Sequence, residues 1–311
     1  MAKSMKKMLL LAKKEAVAGT DSIPTAAANA IMCRAYMPEP ITAEQVQRNL
    51  IRPWKGNSGS LTVGEHRKFA FEVEYAGSGT VGTEPAWGLL LEACGFAATI
   101  TPAVNVVYDL VSEGEPTLTL YGYLDKIKFV VTNAKGTVSF EMNAKGIPVM
   151  KFEFLGSYSA ATEEATMPPG VDYSKFIQPQ TVGRKNTPVF TFHSVTACMS
   201  AFSVNLANAL AWRELVNCSG PASPDRTPSG SVTMELPSIA TKDWAEVVRT
   251  GATGACQLVH GTEPGNIITL DMPAIQCKPF TLQDDASVAM VNMPFDVNPL
   301  VGNDELRLTL T

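Results

Sequence analysis

The chain has 311 residues, of which 45% are hydrophobic and 18% charged, with a net charge of −5. That length favours two domains, and the apolar content excludes a disordered chain. The acidic balance excludes a tight grip on nucleic acid, which needs a basic face to neutralise phosphates.

The opening KKMLLLAKKEA (6–16) mimics a signal peptide, but its apolar stretch falls short of the ~7–15 residues such a peptide needs. No window approaches the ~18 apolar residues of a membrane helix, so the chain is expected to be soluble and to carry no export signal of its own. Residues 1–28 are expected to form an extended arm reaching a neighbour. AIMCRAYMPEPI (30–41) reads as a strand closed by prolines, and QVQRNLIRPWKGNSGS (45–60) as strand ends around a loop. In HRKFAFEVEY (66–75), Phe69, Phe71, Val73 and Tyr75 share one face, and Lys68, Ala70, Glu72 and Glu74 the other. Such period-two alternation predicts a half-buried strand.

EPAWGLLLEACGF (84–96) predicts a helix of about ten residues. Pro85 suits its first turn, Gly95 its end, and Trp87, Leu90, Leu91 and Cys94 form its apolar stripe. Three β-runs follow between 118 and 156, divided by NAKG at 133–136 and again at 143–146, where Asn and Gly suit tight turns. Residues 157–187 are polar, Pro-rich and aperiodic, and read as a linker. A second β series runs from 188 to 311, including WRELV (212–216) and a loop at 217–230. It contains a second tryptophan helix, TKDWAEVVRTG (241–251), anchored by Trp244, Val247 and Val248. The order strand, Trp helix, hairpin thus occurs twice. The expected division is an arm (1–28), a first domain (29–156), a linker (157–187) and a second domain (188–311).

Chemistry is sparse. The six cysteines form no CxxC pair and read as reduced thiols. His66, His193 and His260 stand alone and read as surface or turn residues, without the clustering that metal capture needs. GSGTVG (77–82) lacks the GK[ST] ending of a phosphate loop, and Glu84 at the following helix would repel phosphate. The paired acids Glu113/Glu115, Glu163-Glu164 and Asp284-Asp285 sit in turn-like or linker sequence, as solvated charge. No enzymatic activity, cofactor or metal is expected.

The segment EYAGSGTVGTEPAWGLLLEACGF (74–96), the opening KMLLLAKKEAVAGTDSIPTAAANAI (7–31) and the hairpin-rich strands after them resemble the tail tube (major tail) proteins of long-tailed bacteriophages. Residues 188–311 resemble that family in element order alone. The resemblance implies a mainly β (α+β) chain: two tandem tail-tube-like β-sandwich domains, each with a short flanking helix. Long hairpins would join a ring-shaped β-barrel. It implies a structural virion protein forming stacked rings, a conduit for double-stranded DNA, with three two-domain chains replacing six single-domain ones. Implied partners are further copies of the chain and a tape measure protein inside the tube. Tail terminator and distal-tail proteins would sit at its ends, with transient DNA contact and no membrane. Expected lumen-facing acids are Glu72, Glu74, Asp125, Glu141 and Glu153; Trp87, Leu90, Leu91, Trp244, Val247 and Val248 are expected core anchors. A distal-tail or baseplate ring protein is the alternative, and a carbohydrate-binding β-sandwich a remote one.

Overall fold

The computed structural model describes residues 3–311; residues 1–2 of the expected arm lie outside the described residues. The chain is mainly β. Its first part contains β1 (Met8–Lys14), α1 (Ala26–Asn29), β2 (Ala30–Ile31), β3 (Arg34–Pro38), β4 (Thr42–Gln47) and β5 (Ser60–Glu74). After these come α2 (Gly88–Glu92), β6 (Phe96–Thr101), β7 (Asn105–Leu110), β8 (Leu118–Leu124), β9 (Ile127–Asn143), β10 (Val149–Tyr158) and β11 (Thr162–Glu163). The second part contains β12 (Val189–Phe192), β13 (Val195–Thr196), β14 (Met199–Asn205), β15 (Ala211–Leu215), β16 (Cys218–Ala222) and β17 (Ser229–Glu235). It ends with α3 (Trp244–Thr250), β18 (Thr253–His260), β19 (Ile268–Cys277), β20 (Thr281–Asp285), β21 (Val288–Val297) and β22 (Arg307–Leu310).

The strand predicted at 66–75 forms as the second half of β5. Phe69, Phe71, Val73 and Tyr75 are buried, as alternation requires. One antiparallel layer runs β3–β5–β10–β9, and β9 then pairs with β14, so the layer continues as β14–β17–β21–β20. The order is the same in both halves: edge strand, strand before the Trp helix, returning hairpin. A second link joins the halves on the other side of the core, where β22 lies between β19 and β7. One hydrophobic cluster spans both, from Leu10 and Phe71 through Phe140 and Phe202 to Phe295 and Leu310.

Several expectations are corrected. Residues 8–14 are not an arm: β1 pairs along its length with β8, from Met8 opposite Leu124 to Lys14 opposite Leu118, and Leu9–Ala12 are buried. The first NAKG is not a turn. β9 runs straight through 133–136, paired with β8 on one side and β10 on the other, and bulges absorb the positive φ of Asn133 (+53°). The turn before β9 falls instead at Asp125, φ +52°. The second NAKG does turn, with Gly146 N donating to Asn143 O. Within 217–230, residues Cys218–Ala222 form β16 and close a hairpin with β15.

The stretch 157–187 is pinned to both halves. Val182 is buried and exchanges backbone hydrogen bonds with Lys145 and Gly146, while Gln180 O accepts from His260 Nε2 at 3.1 Å. Helix α2 is half the expected length. At its first residue, Gly88, a Cβ would collide with the Tyr108 hydroxyl and the Glu84 side chain. α3 is better defined: Asp243 caps it by accepting from Glu246 N at 3.1 Å, and Gly251 ends it in the left-handed region (φ +65°).

Candidate assembly surface

The core face of the continuous layer is apolar; its opposite face is polar, and the β15–β16 hairpin covers one end of it over His66. Pleating decides which residue goes where. On β5 and β10, Phe69, Phe71, Val73, Met150, Phe152 and Phe154 point inward, and Phe71 stacks on Phe154 at 5.8 Å. The open face carries Lys68, Glu72, Glu74, Lys151, Glu153 and Glu141. Towards the second half it continues as Ser139, Ser203 and Ser231, with the Ser203 and Ser231 hydroxyls 2.9 Å apart.

The structure therefore brings together four of the five singled-out acids, Glu72, Glu74, Glu141 and Glu153. Lys151 lies 2.7 Å from Glu141 and 3.9 Å from Glu72; Lys68 is 3.5 Å from Glu153; Arg34 is 4.0 Å from Glu72 and 3.9 Å from Glu74. Four carboxylates face three cations, so the patch is close to neutral with an acidic excess. Half-exposed pairs of this kind add little stability, but they hold long side chains flat against the sheet. Asp125 stands apart, at the β8–β9 turn, where its carboxylate accepts from Ser4 N at 3.3 Å.

The helix anchors lie in the core. Trp87, Leu90, Leu91, Trp244 and Val247 are buried, and Val248 is half-buried against the same cluster. The two indoles differ. Trp87 Nε1 donates to Ala76 O at 2.8 Å, whereas Trp244 Nε1 has no partner among the described residues. His193 and His260 are buried, not on the surface. Desolvation pushes both below the ordinary histidine range, and for His193 the neighbouring Lys242 adds to this. His66 is half-buried and stacks on Trp212 at 5.4 Å. Among the described residues, no group of three His, Cys, Asp or Glu side chains converges on a metal-sized site. No helix among them is long and apolar enough to cross a membrane.

Two features had no signal in the sequence. The first is the joint between the halves. Arg226 binds Glu305 through Nε and Nη2 at 3.1 and 3.2 Å and donates to Val111 O at 2.7 Å, while Asn208 Nδ2 reaches Cys94 O and Gly136 O at 2.7 and 2.8 Å. Strand pairing across a long sequence gap made both unreadable. The second is the pair of free edges of this layer. Among the described residues, β3 and β4 pair with β5 alone, and β20 with β21 alone. Met37 on β3 is 59% exposed and Leu282 on β20 is 63% exposed. Unpaired edges are templates for pairing with another chain.

No curated protein matches the chain. A family model described as phage tail tube protein matches residues 6–303, almost the whole length. A mainly β chain with a core-anchored helix in each half and a polar sheet face therefore belongs to the phage tail tube protein family, with a structural role in the virion.

Proposed function

We propose that copies of this chain join head to tail through their free sheet edges into a closed ring of three. Stacked rings form the hollow tube through which double-stranded DNA passes. The observation that carries this reading is the in-chain pairing of β9 with β14. Within the layer, it joins the outermost strand of one half to the outermost strand of the other. β20 and β3 are the strands that end the layer, each paired on one side alone among the described residues.

The register follows by matching Glu74, the last residue of β5, with Glu235, the last of β17. Val149 opposite Glu74 then corresponds to Met290 opposite Glu235. Glu141 and Gln283, which oppose these two residues, correspond as well. Glu141 faces Ser203, and Ser203 corresponds to Met37 because they oppose Ser231 and Ala70. Gln283 of one copy should thus face Met37 of the next.

Barrel size selects the number of chains. Eight strands closing alone make a barrel filled by its own side chains. Three chains give about 24 strands and, at ~4.8 Å spacing and ~40° tilt, a barrel roughly 50 Å across its backbone. Ring closure removes both edges, which is itself a driving force for assembly. The four glutamates and the serine row would then line the bore. A slightly acidic, hydroxyl-rich wall does not retain a polyanion, so DNA slides past.

Proline tests the joint, since it cannot donate to a strand ladder. Leu282→Pro and Gln283→Pro, made separately, place the lost N–H on opposite sides of β20. One of them should abolish assembly in sedimentation velocity while leaving a folded monomer. Normal assembly of both would sink the edge-pairing reading.

A further inference from the structure

The β15–β16 hairpin has a seat. It follows β14, the counterpart of edge strand β3, and folds back over the first half, where Trp212 stacks on His66 and Gly220 lies against the Asn133 side chain. Gly64, at φ +65°, lies against the indole: Trp212 Cδ1 is 3.6 Å from where a Cβ would stand, an ordinary contact distance. The β4–β5 ribbon holds the same place in the order, directly after edge strand β3, yet it projects without a seat. Val46, Leu50, Ile51, Trp54 and Leu61 are all exposed, Ile51 at 103% and Trp54 at 67%. Val46 and Leu61 lie directly opposite each other, and so many exposed apolar side chains on one ribbon mark a contact site.

The same register locates the missing seat. Gly64 and His66 correspond to Asp225 and Thr227; Leu155–Tyr158 correspond to Asp296–Pro299. Those second-half residues line one open cleft of about 650 Å³. Its lining carries Glu115, Asp225, Asp296 and Glu305 with Arg226. Lys135, Lys278 and Arg226 pair Glu115, Asp296 and Glu305, so among the described residues Asp225 is the carboxylate left for a basic ribbon. Between Gln47 and Gly64 the ribbon carries Arg48, Arg52 and Lys55 and no acid.

We propose that the β4–β5 ribbon of one copy seats across the second-half cleft of its ring neighbour, in the position that β15–β16 takes over the first half within a chain. This rests on the ring reading and deepens it. Each joint between copies then has two parts: backbone pairing of β20 with β3, and an apolar, basic clamp over an acidic cleft. The in-chain joint likewise combines strand pairing with a seated hairpin, with Arg226 and Asn208 added.

The test is zero-length carbodiimide cross-linking of assembled protein made from ¹⁵N-labelled and unlabelled chains, read by mass spectrometry. Lys55 should be joined to Asp225, Asp296 or Glu115 in heavy–light pairs that are absent from the monomer. A double variant, Ile51→Glu with Trp54→Glu, should keep the parent's circular dichroism and melting curve. It should need at least tenfold more protein to assemble. Rings in which Lys55 is joined only outside the cleft, or a double variant that assembles like the parent, overturn the clamp and leave the ring standing. Chains that never assemble under any condition overturn the ring and the clamp together.

Discussion

Arg67 shows how much one side chain holds in this fold. It is fully buried yet has no carboxylate partner among the described residues. Its Nε and Nη2 donate to Pro40 O at 3.0 and 2.8 Å, its Nη1 donates to Val130 O at 2.7 Å, and its guanidinium lies over the Tyr158 and Phe129 rings. Burial lowers its pKa, but an arginine stays charged. Carbonyl dipoles and ring faces carry the solvation that water would give. Arg67→Met should therefore cost about 2–3 kcal/mol in chemical denaturation, because it removes the charged donor of the Pro40 and Val130 carbonyls. The two indoles give a sharper comparison. Trp87→Phe should cost about 1 kcal/mol more than Trp244→Phe, since Trp87 alone loses a hydrogen bond, to Ala76 O. The buried histidines set a pH dependence. Their folded pKa values lie below the ordinary value, so the unfolded chain takes up protons first as pH falls. Stability should drop as pH falls below about 6.5, and a His193→Asn, His260→Asn variant should show a shallower slope across pH 7 to 5. None of this was readable from three isolated histidines, because a lone histidine carries no signal of its surroundings.

Elements divide by whether their pairing is local. The alternation of 66–75, the stripe of the Trp87 helix and the capped Trp244 helix follow from neighbouring residues alone, and the sequence shows them. β9 defeats local reasoning. Asn133 and Gly136 favour a turn, but β8 and β10 pair on both sides, and the combined ladder outweighs the local preference of four residues. Gly136 instead provides space: a Cβ there would meet the Phe154 ring and Cys94 Sγ. Gly136→Val should unfold the centre of the first half, with a loss of several kcal/mol by overpacking, beyond the ~1–3 kcal/mol of an ordinary misfit. Likewise β1 reads as a basic, apolar arm because its partner, β8, lies a hundred residues away in sequence. The same blindness separates Asp125 from the other four acids. Strand parity groups Glu72 with Glu74, and Glu153 follows on its own strand. A residue placed on a hairpin by a misread turn has no parity to obey.

At the scale of the whole molecule, two links hold the halves at a fixed angle: β9 with β14 in the open-faced layer, and β22 between β7 and β19 on the other side of the core. An angle fixed within one chain and repeated between chains closes a ring when the rotation divides a full turn, whereas a flexible linker fixes no rotation at all. The stretch 157–187 accordingly lies against both halves. The repeat of element order was legible in the sequence; the joint was not, since nothing local marks Ser203 as the partner of Glu141. The central claim is that the in-chain joint is repeated between copies. Cryo-electron microscopy of the assembled protein tests it most directly. The account predicts three chains per ring, one continuous barrel, and Gln283 of each copy facing Met37 of the next. Rings of six chains, or a barrel joined through strands other than β20 and β3, would contradict it.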